Sequence, residues 1–377
     1  MKTIIEKNQK WIDETWDKLD KKLSKVAIKS RNKIPYTSIN GEHDNRGGNE
    51  IDWWTNGFWG GMMWLMYIAT KNEDYKITAD VSEKMLDDAL RQYEKLHHDV
   101  GFMWDILSGV NYRYTGNEAS KTRMLYAAST LASRYNIKGK FIRAWNEGEG
   151  QKRDGWSIID CMMNIPLLYR ASYEIGDDRF KYIALEHADM AIRDHIRPDG
   201  SVVHIVSHDP QTGEAIETFA GQGYAVGSSW SRGQAWALYG FILSYIHTGK
   251  QEYLDVAKQV AHYFIACVCD DYLPKVDFRS PEEPVMYDST AGACAACGLI
   301  EIAKNVPEYE QKMYINAAIN ILKAMEEKFC DWTDKEDAIL LMGTERYTSG
   351  IHMPIIYGDF FFVESLFKLK GNDFLVW

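Results

Sequence analysis

The chain has 377 residues, 46% hydrophobic and 26% charged, with a formal net charge of −11. That composition is ordinary for a globular protein, and with no basic stripe to replace phosphate counterions it excludes a nucleic-acid partner. No apolar run of about 20 residues free of charge occurs, which excludes a membrane-spanning helix.

The first stretch, MKTIIEKNQKWIDETWDKL, alternates charge with apolar residues at helical spacing and lacks the apolar core of a secretion signal. A helix over 3–27 and a cytoplasmic location are the expectation. The same three-and-four spacing predicts helices over 57–70, 76–95, 119–135, 158–174, 179–195, 231–247, 252–267, 288–304, 309–329 and 358–369. A shorter helix is expected near 102–114, and residues 201–208 (SVVHIVSH) and 339–342 read as short strand pieces. A weak repeat punctuates the pattern: Gly116, Gly176 and Gly249 sit where helices should close, each followed by a polar or acidic opening turn. The spacing corresponds to about six helical hairpins, and no linker or break in composition divides the chain. Twelve helices alternating between an inner and an outer ring give an all-α (α/α)6 barrel as one domain over 1–377, with short β pieces in its loops. A superhelical array is the competitor, but the long Trp-rich connections favour the closed ring.

Thirteen Trp and 22 Tyr exceed what a core of this size needs. Many lie among Gly, Asn, Gln and Arg, as in IDWWTNGFWGG and GSSWSRGQAW. Sugars offer C–H faces to aromatic rings and hydroxyls to polar partners, so this mixture points to a carbohydrate cleft. The cysteines read differently. Cys161, Cys294 and Cys297 lie in apolar helical runs and are expected to pack, and CAAC lacks the strand context of a redox or metal motif.

Three clusters carry candidate chemistry. KLHHDVGFMW places His97, His98 and Asp99 just after a helical run. DGWSIIDCMMN sets Asp160 among apolar residues, where it serves as a helix cap, as a structural acceptor or as an acid with a raised pKa. GQGYAVGSSWSRGQAW leads from a loop into a helix and carries Gln222, Trp230, Arg232, Gln234 and Trp236. His97 and His98 have no second ligand cluster at metal spacing, so a solvated loop competes with a site there. Arg232 either bridges loops or grips a carboxylate in two-point fashion. Taken together, two aspartates, an Arg, histidines and tryptophans suit an acidic sugar. One Asp must then keep a proton near neutrality, and the apolar flanks assign that role to Asp160, with Asp99 as the neighbouring charge.

These motifs are similar to those of the unsaturated glucuronyl hydrolases, glycoside hydrolase family 88. WWTNGFWGG, HHDVGF, IIDCMMNIPLL, WSRGQAWALYG and IYGDFFFVESL follow that family's order from about residue 50 to 368. The resemblance implies an (α/α)6 barrel acting on lyase-generated glycosaminoglycan oligosaccharides that end in a 4,5-unsaturated uronic acid. It implies hydration of the C4=C5 vinyl ether, with no metal or organic cofactor. It makes Asp160 the general acid/base and Asp99 the second essential carboxylate. Trp54, Trp145, Trp230 and Trp236 take stacking or shaping positions, and His98, His204, Gln222, Arg232 and Tyr347 take polar contacts, Arg232 toward the uronate. The implied partner is a small-molecule sugar, for a monomer or homodimer with no membrane contact. Two departures bear on specificity. YTSGIHMPIIYGD lacks the Ser-x-x-Ser-x-Lys run of members that prefer sulfated units, and Tyr224 stands where a smaller polar residue is usual. The alternatives are an unsaturated rhamnogalacturonyl hydrolase, with the same chemistry on a pectin fragment, and an α/α-barrel epimerase or sugar binder using His98 and His204.

Overall fold

Short turns and long loops divide this protein into two ends. In the computed structural model, which describes residues 1–148 and 152–377, the helices are α1 (Lys2–Lys29), α2 (Arg46–Asn49), α3 (Phe58–Thr70), α4 (Glu73–Arg91), α5 (Val100–Trp104), α6 (Val110–Thr115), α7 (Glu118–Ala132), α8 (Pro166–Ile175), α9 (Arg179–His195), α10 (Ser231–Thr248), α11 (Gln251–Val268), α12 (Ser289–Asn305), α13 (Glu308–Phe329) and α14 (Ile356–Leu369). A π-helical turn, Asp105–Gly109, joins α5 to α6. Turns of two or three residues lead from α3 to α4, α6 to α7, α8 to α9, α10 to α11 and α12 to α13. Such turns leave consecutive helices antiparallel. The connections back, such as 196–230 and 330–355, are long.

Burial separates the two rings. All of α14 is buried and nearly all of α10 and α12, whereas α13 buries one stripe, including Tyr314, Ile315, Ala318 and Leu322. The inner ring closes in space: α3 packs on the π turn, that turn on α8, α8 on α10, α10 on α12, α12 on α14 and α14 back on α3. Helix α1 packs against α4, α13 and α14, so the first outer helix meets the last. This is the expected (α/α)6 barrel. Small residues let the inner helices approach: a Cβ on Gly298 would collide with Leu238 Cδ2. Cys294 and Cys297 are buried in the same wall, and burial pushes both thiols well up, as for packed apolar groups.

Gly116, Gly176 and Gly249 close α6, α8 and α10 with φ of 77°, 65° and 69°. A Cβ at any of them would meet nothing within 4 Å. Left-handed backbone, not space, is what selects glycine there. The expected helix over 158–174 starts later. Residues Ile159–Met163 form a 3-10 turn, and α8 begins at Pro166, whose fixed φ and missing N–H suit a first helical position. Asp160 therefore lies ahead of an inner helix and is not its N-cap. The short strands are β1 (Ser38–Ile39), β2 (Glu42–His43), β3 (Tyr135–Asn136), β4 (Phe141–Ile142), β5 (Trp156–Ile158), β6 (Ile205–His208) and β7 (Ala215–Phe219); the piece at 201–208 contains β6, which pairs antiparallel with β5 and β7. Residues 339–342 form only an isolated bridge, Cys330 to Leu340, because Asp359 takes the N–H groups of Ile339 and Leu340.

Two histidines without exposed surface pin the β5–β7 end. His187 Nδ1 accepts from the Ile142 N–H at 3.0 Å, and His195 lies 2.8 Å from Ser157 Oγ and from the Val203 carbonyl. Burial pushes His187 down to about 3 and His195 down to about 4. The fold thus holds both neutral. Their stabilisation is complete above the ordinary value of 6.5 and is lost as pH falls from there toward 3–4. At about 1.4 kcal/mol per pH unit, each contributes up to about 3–5 kcal/mol. Urea midpoints should therefore fall steeply between pH 6.5 and 4.5, and His187→Gln should flatten that slope. An unchanged slope in the variant would remove His187 from the account.

Candidate active site

Because the inner helices run parallel, their N-termini share one end with the long loops. The positive ends of their dipoles converge there. Asp99 immediately precedes α5, Asp160 lies in the 3-10 turn before α8, Trp230 precedes α10 and Asp288 caps α12. Trp54 lies in the loop before α3, and Tyr347 in the loop before α14. Every site residue read from the sequence lies at this end or in the loops above it.

Asp99 and Asp160 are 6% and 8% exposed. Burial, then the neighbouring Asp160 charge, pushes the Asp99 carboxyl well above the ordinary carboxylate range. The sequence reading assigned the held proton to Asp160; the structure puts an upward push on its neighbour Asp99, and both carboxyls are buried. His97 Nδ1 and His98 Nε2 each lie 3.3 Å from Asp99 Oδ2, close but not aligned as hydrogen bonds. Burial, with Arg134 adding, pushes His97 down to about 4, and burial pushes His98 well down, so both imidazoles are neutral. These three side chains bring ligand atoms within 4.8 Å of one another, the one such group among the described residues. Asp99 is also engaged by Asn164, whose Nδ2 donates to Asp99 Oδ1 at 3.2 Å. The set reads as an acid pair steadied by neutral rings.

His204 faces Asp160, with its Nε2 3.4 Å from Oδ1. The Gln222 backbone N–H donates to His204 Nδ1 at 3.0 Å, and the Ala220 carbonyl lies 3.2 Å from the same nitrogen. Gln222 Nε2 donates to the Glu345 carbonyl at 2.6 Å, and the Tyr347 N–H donates to the Gln222 carbonyl at 2.9 Å. Gln222 thus ties the 220–230 loop to the 343–350 loop. Asp160 Oδ1 has no hydrogen-bonded partner, which leaves an acceptor or donor position open beside the imidazole.

Aromatic rings wall the site. Trp230 leans on His204 at 4.1 Å between centroids, the rings tilted by 35°, and half-buried Trp145 turns toward His98 at 6.1 Å. Trp54, also half-buried, leans on Tyr357 and Phe102 at 5.1 and 5.5 Å. Trp236 is fully buried beneath them against Phe102 and Phe361, so it shapes the floor and offers no stacking face. Tyr347 meets exposed Tyr224 edge-on at 4.9 Å at the rim.

Arg232 is not a free clamp. Its Nη1 donates to Asp288, to Thr290 Oγ1 at 3.2 Å and to the Thr344 carbonyl at 2.6 Å, and its Nη2 donates to the Glu345 carbonyl at 2.6 Å. The guanidinium lies 4.5 Å from the Trp230 ring centre, fully buried. A two-point grip on a sugar carboxylate through both terminal nitrogens does not fit these commitments. Arg232 instead enters the site as a fixed positive charge, close enough for Asp160 to act on it.

Several positioning residues escaped the sequence reading. Arg134 donates to the carbonyls of Arg143, Ala144 and Leu96 and to Asn146 Oδ1, holding together the loops that carry Trp145 and Asp99. Asp277 accepts from the N–H groups of Tyr224, Ser229 and Arg279 and from Ser228 Oγ, setting the loop that ends at Trp230. Both act across long separations, which leave no local motif. A cavity of about 790 Å³ on the outer wall, lined by Asp87, Tyr93, Arg123 and Tyr126, contains none of the chemistry-bearing residues. The paired carboxylates, not cavity size, locate the candidate site.

Comparison with known proteins agrees with this geometry. Residues 22–267 match the model of Glycosyl Hydrolase Family 88. The chain is 35% identical over 324 residues to the unsaturated glucuronyl hydrolase of Bacillus sp. (strain GL1), covering 84% of this chain and 86% of that protein. It is also 35% identical over 323 residues to the unsaturated chondroitin disaccharide hydrolase of Streptococcus pyogenes serotype M1, covering 84% and 80%. A solved unsaturated glucuronyl hydrolase from Streptococcus agalactiae superposes with a TM-score of 0.90 at 29% identity, over 97% of this chain and 93% of that one. An Asp-to-Asn variant of the Streptococcus agalactiae protein has been solved in complex with dGlcA-GalNAc6S.

Proposed function

The chain belongs to glycoside hydrolase family 88, and from that premise we propose that it removes a 4,5-unsaturated uronic acid from the non-reducing end of lyase-generated glycosaminoglycan oligosaccharides. The observation that carries this reading is the buried Asp99–Asp160 pair, set beside His204 and walled by Trp54, Trp145 and Trp230. One proton shared by two close carboxyls provides an acid and a base in one site. In the free site burial favours its residence on Asp99. With substrate bound, Asp160, whose Oδ1 is open, receives the proton and delivers it to C4. Positive charge then develops at C5 and the ring oxygen, next to the anionic partner of the pair. Water adds at C5 and returns a proton to Asp160. The C5 hemiketal collapses with cleavage of the C5–ring oxygen bond, and the hemiacetal left at C1 expels the next sugar as an alcohol.

The acidic sugar enters beside the buried Arg232 charge, the helix N-termini, the neutral His98 and the His204 ring, and its apolar face has Trp54 and Trp145 to lie on. This reading includes a cytoplasmic monomer or homodimer. In support, Cys161, Cys294 and Cys297 are unpaired and buried, and among the described residues no helix is long and apolar enough to cross a membrane.

A panel of unsaturated chondroitin, hyaluronan and heparin disaccharides tests the proposal by ultraviolet absorbance. The C4=C5 bond conjugated to the carboxylate absorbs, and hydration removes the signal. Loss of absorbance is expected, with 6-sulfated substrates turned over more slowly because the Ser-x-x-Ser-x-Lys run is absent. A signal that holds on every disaccharide overturns the reading. Turnover of the rhamnose-linked pectin disaccharide alone replaces it with the rhamnogalacturonyl one.

A further inference from the structure

We infer that Asn164 is a positioning residue that locks the two catalytic aspartates into register, a role that rests on the reading above. Asn164 has no exposed surface. Its amide makes three bonds, each to a different part of the site. Nδ2 donates to Asp99 Oδ1 at 3.2 Å and to the Asp160 carbonyl at 3.3 Å, and Oδ1 accepts from the Phe102 N–H at 2.8 Å. One planar group therefore joins the Asp99 side chain, the first turn of α5 and the backbone of Asp160. Neither of its bonds to the α5 segment is local: they span 65 and 62 residues.

The fit is close. A Cβ on Gly101 would come within 2.6 Å of Asn164 Cα and 2.7 Å of its carbonyl and side-chain oxygens. Only glycine lets the loop bearing Asp99 settle onto Asn164, so the contact is built from both sides. Electrostatics gives Asn164 a second effect. Burial and Asp160 push Asp99 up, and the Asn164 hydrogen bond pulls the other way by favouring the carboxylate. Arg134 also pulls down, from further off, and His97 and His98 are neutral at this face. Asn164 is thus the one aligned side-chain donor to Asp99 among the described residues. Without it, the pair should hold its proton to higher pH.

Asn164→Leu is the sharpest variant, because it keeps roughly the shape while removing the amide donor and adding no charge beside Asp99. Asn164→Ser removes the donor and leaves a gap. Both should lower kcat by about 100-fold, the cost of a misplacement near 1 Å, with KM changing much less. Both should move the alkaline limb of the kcat/KM profile upward by roughly one pH unit. Carbon NMR of the Asp99 carboxyl, followed in the absence of substrate, should show the same upward movement. That measurement separates the two readings: it tests Asn164 even if no unsaturated disaccharide is turned over. A lower melting temperature with wild-type kcat, pH limb and Asp99 titration would make Asn164 merely structural and overturn the inference. If the Ser variant fails to fold, the Leu variant, close in shape to Asn, decides.

Discussion

Asp160→Asn should lose about 10⁴-fold in kcat, at the upper end of what a positioned acid contributes, equivalent to about 5.5 kcal/mol of barrier. An amide cannot deliver a proton to C4 or take one from water at C5, so both halves of the reaction suffer. Binding should persist. Asn keeps the volume of Asp, and the Trp54, Trp145 and Trp230 rings that wall the site are left in place. Single-turnover absorbance would measure the loss, and calorimetric titration with an unsaturated disaccharide would measure the retained affinity. Near-normal turnover by Asp160→Asn would move the acid elsewhere, with Asp99 next in line. A variant that no longer binds would instead make Asp160 a ligand-holding group.

The helices were legible because burial is periodic. The outer helix α9 runs from Arg179 to His195, as its apolar spacing predicts, and Gly116, Gly176 and Gly249 mark the closures because no other residue suits left-handed backbone as well. The start of α8 was missed because apolar residues before Pro166 continue the helical spacing while their backbone is held by tertiary bonds. The Ile159 N–H, for instance, donates to the His204 carbonyl. Type and order of elements follow from local pattern, and exact starts follow from what the loops touch.

The site divides along the same line. Asp99, Asp160, His204 and Trp230 stood out because polar and aromatic residues in unusual company are a local signal. Arg232 stood out too, but its working partner, Asp288, lies 56 residues away and carries no mark of that pairing. A grip through both terminal nitrogens does not fit for that reason: a buried guanidinium is held by the carboxylate that the fold brings to it. Asn164 sat inside a quoted motif and read as one polar residue among many until its three bonds were placed in space. Enclosure is likewise a property of the fold: burial and the Asp160 charge push Asp99 up, and neither shows in the HHDVGF window itself.

Asp99→Asn should lower kcat by about 10³-fold and at the same time raise the melting temperature at neutral pH. The catalytic loss follows from removing the anion that faces the charge developing at C5, a type of contact worth about 10²–10³-fold or somewhat more when water is excluded. The gain in stability follows from linkage. A carboxyl whose folded pKa lies above its unfolded 3.8 favours folding most at low pH, and that contribution is lost as pH rises toward the folded value. At neutrality the fold must either keep the proton against solvent or carry an unpaired charge among His97, His98 and Asp160. Asparagine has the same shape, can accept from Asn164 and does neither. The difference in melting temperature between variant and parent should therefore be largest near pH 8 and shrink toward pH 4, the reverse of a packing effect, which would be flat. Thermal melts at several pH values, run beside the disaccharide assay, read both halves. A variant that is inactive and less stable at every pH would show that Asp99 holds the fold together as an ionised partner. A stabilised, inactive variant would show that the site carries its acid pair at the expense of the fold, as a buried proton-holding group requires.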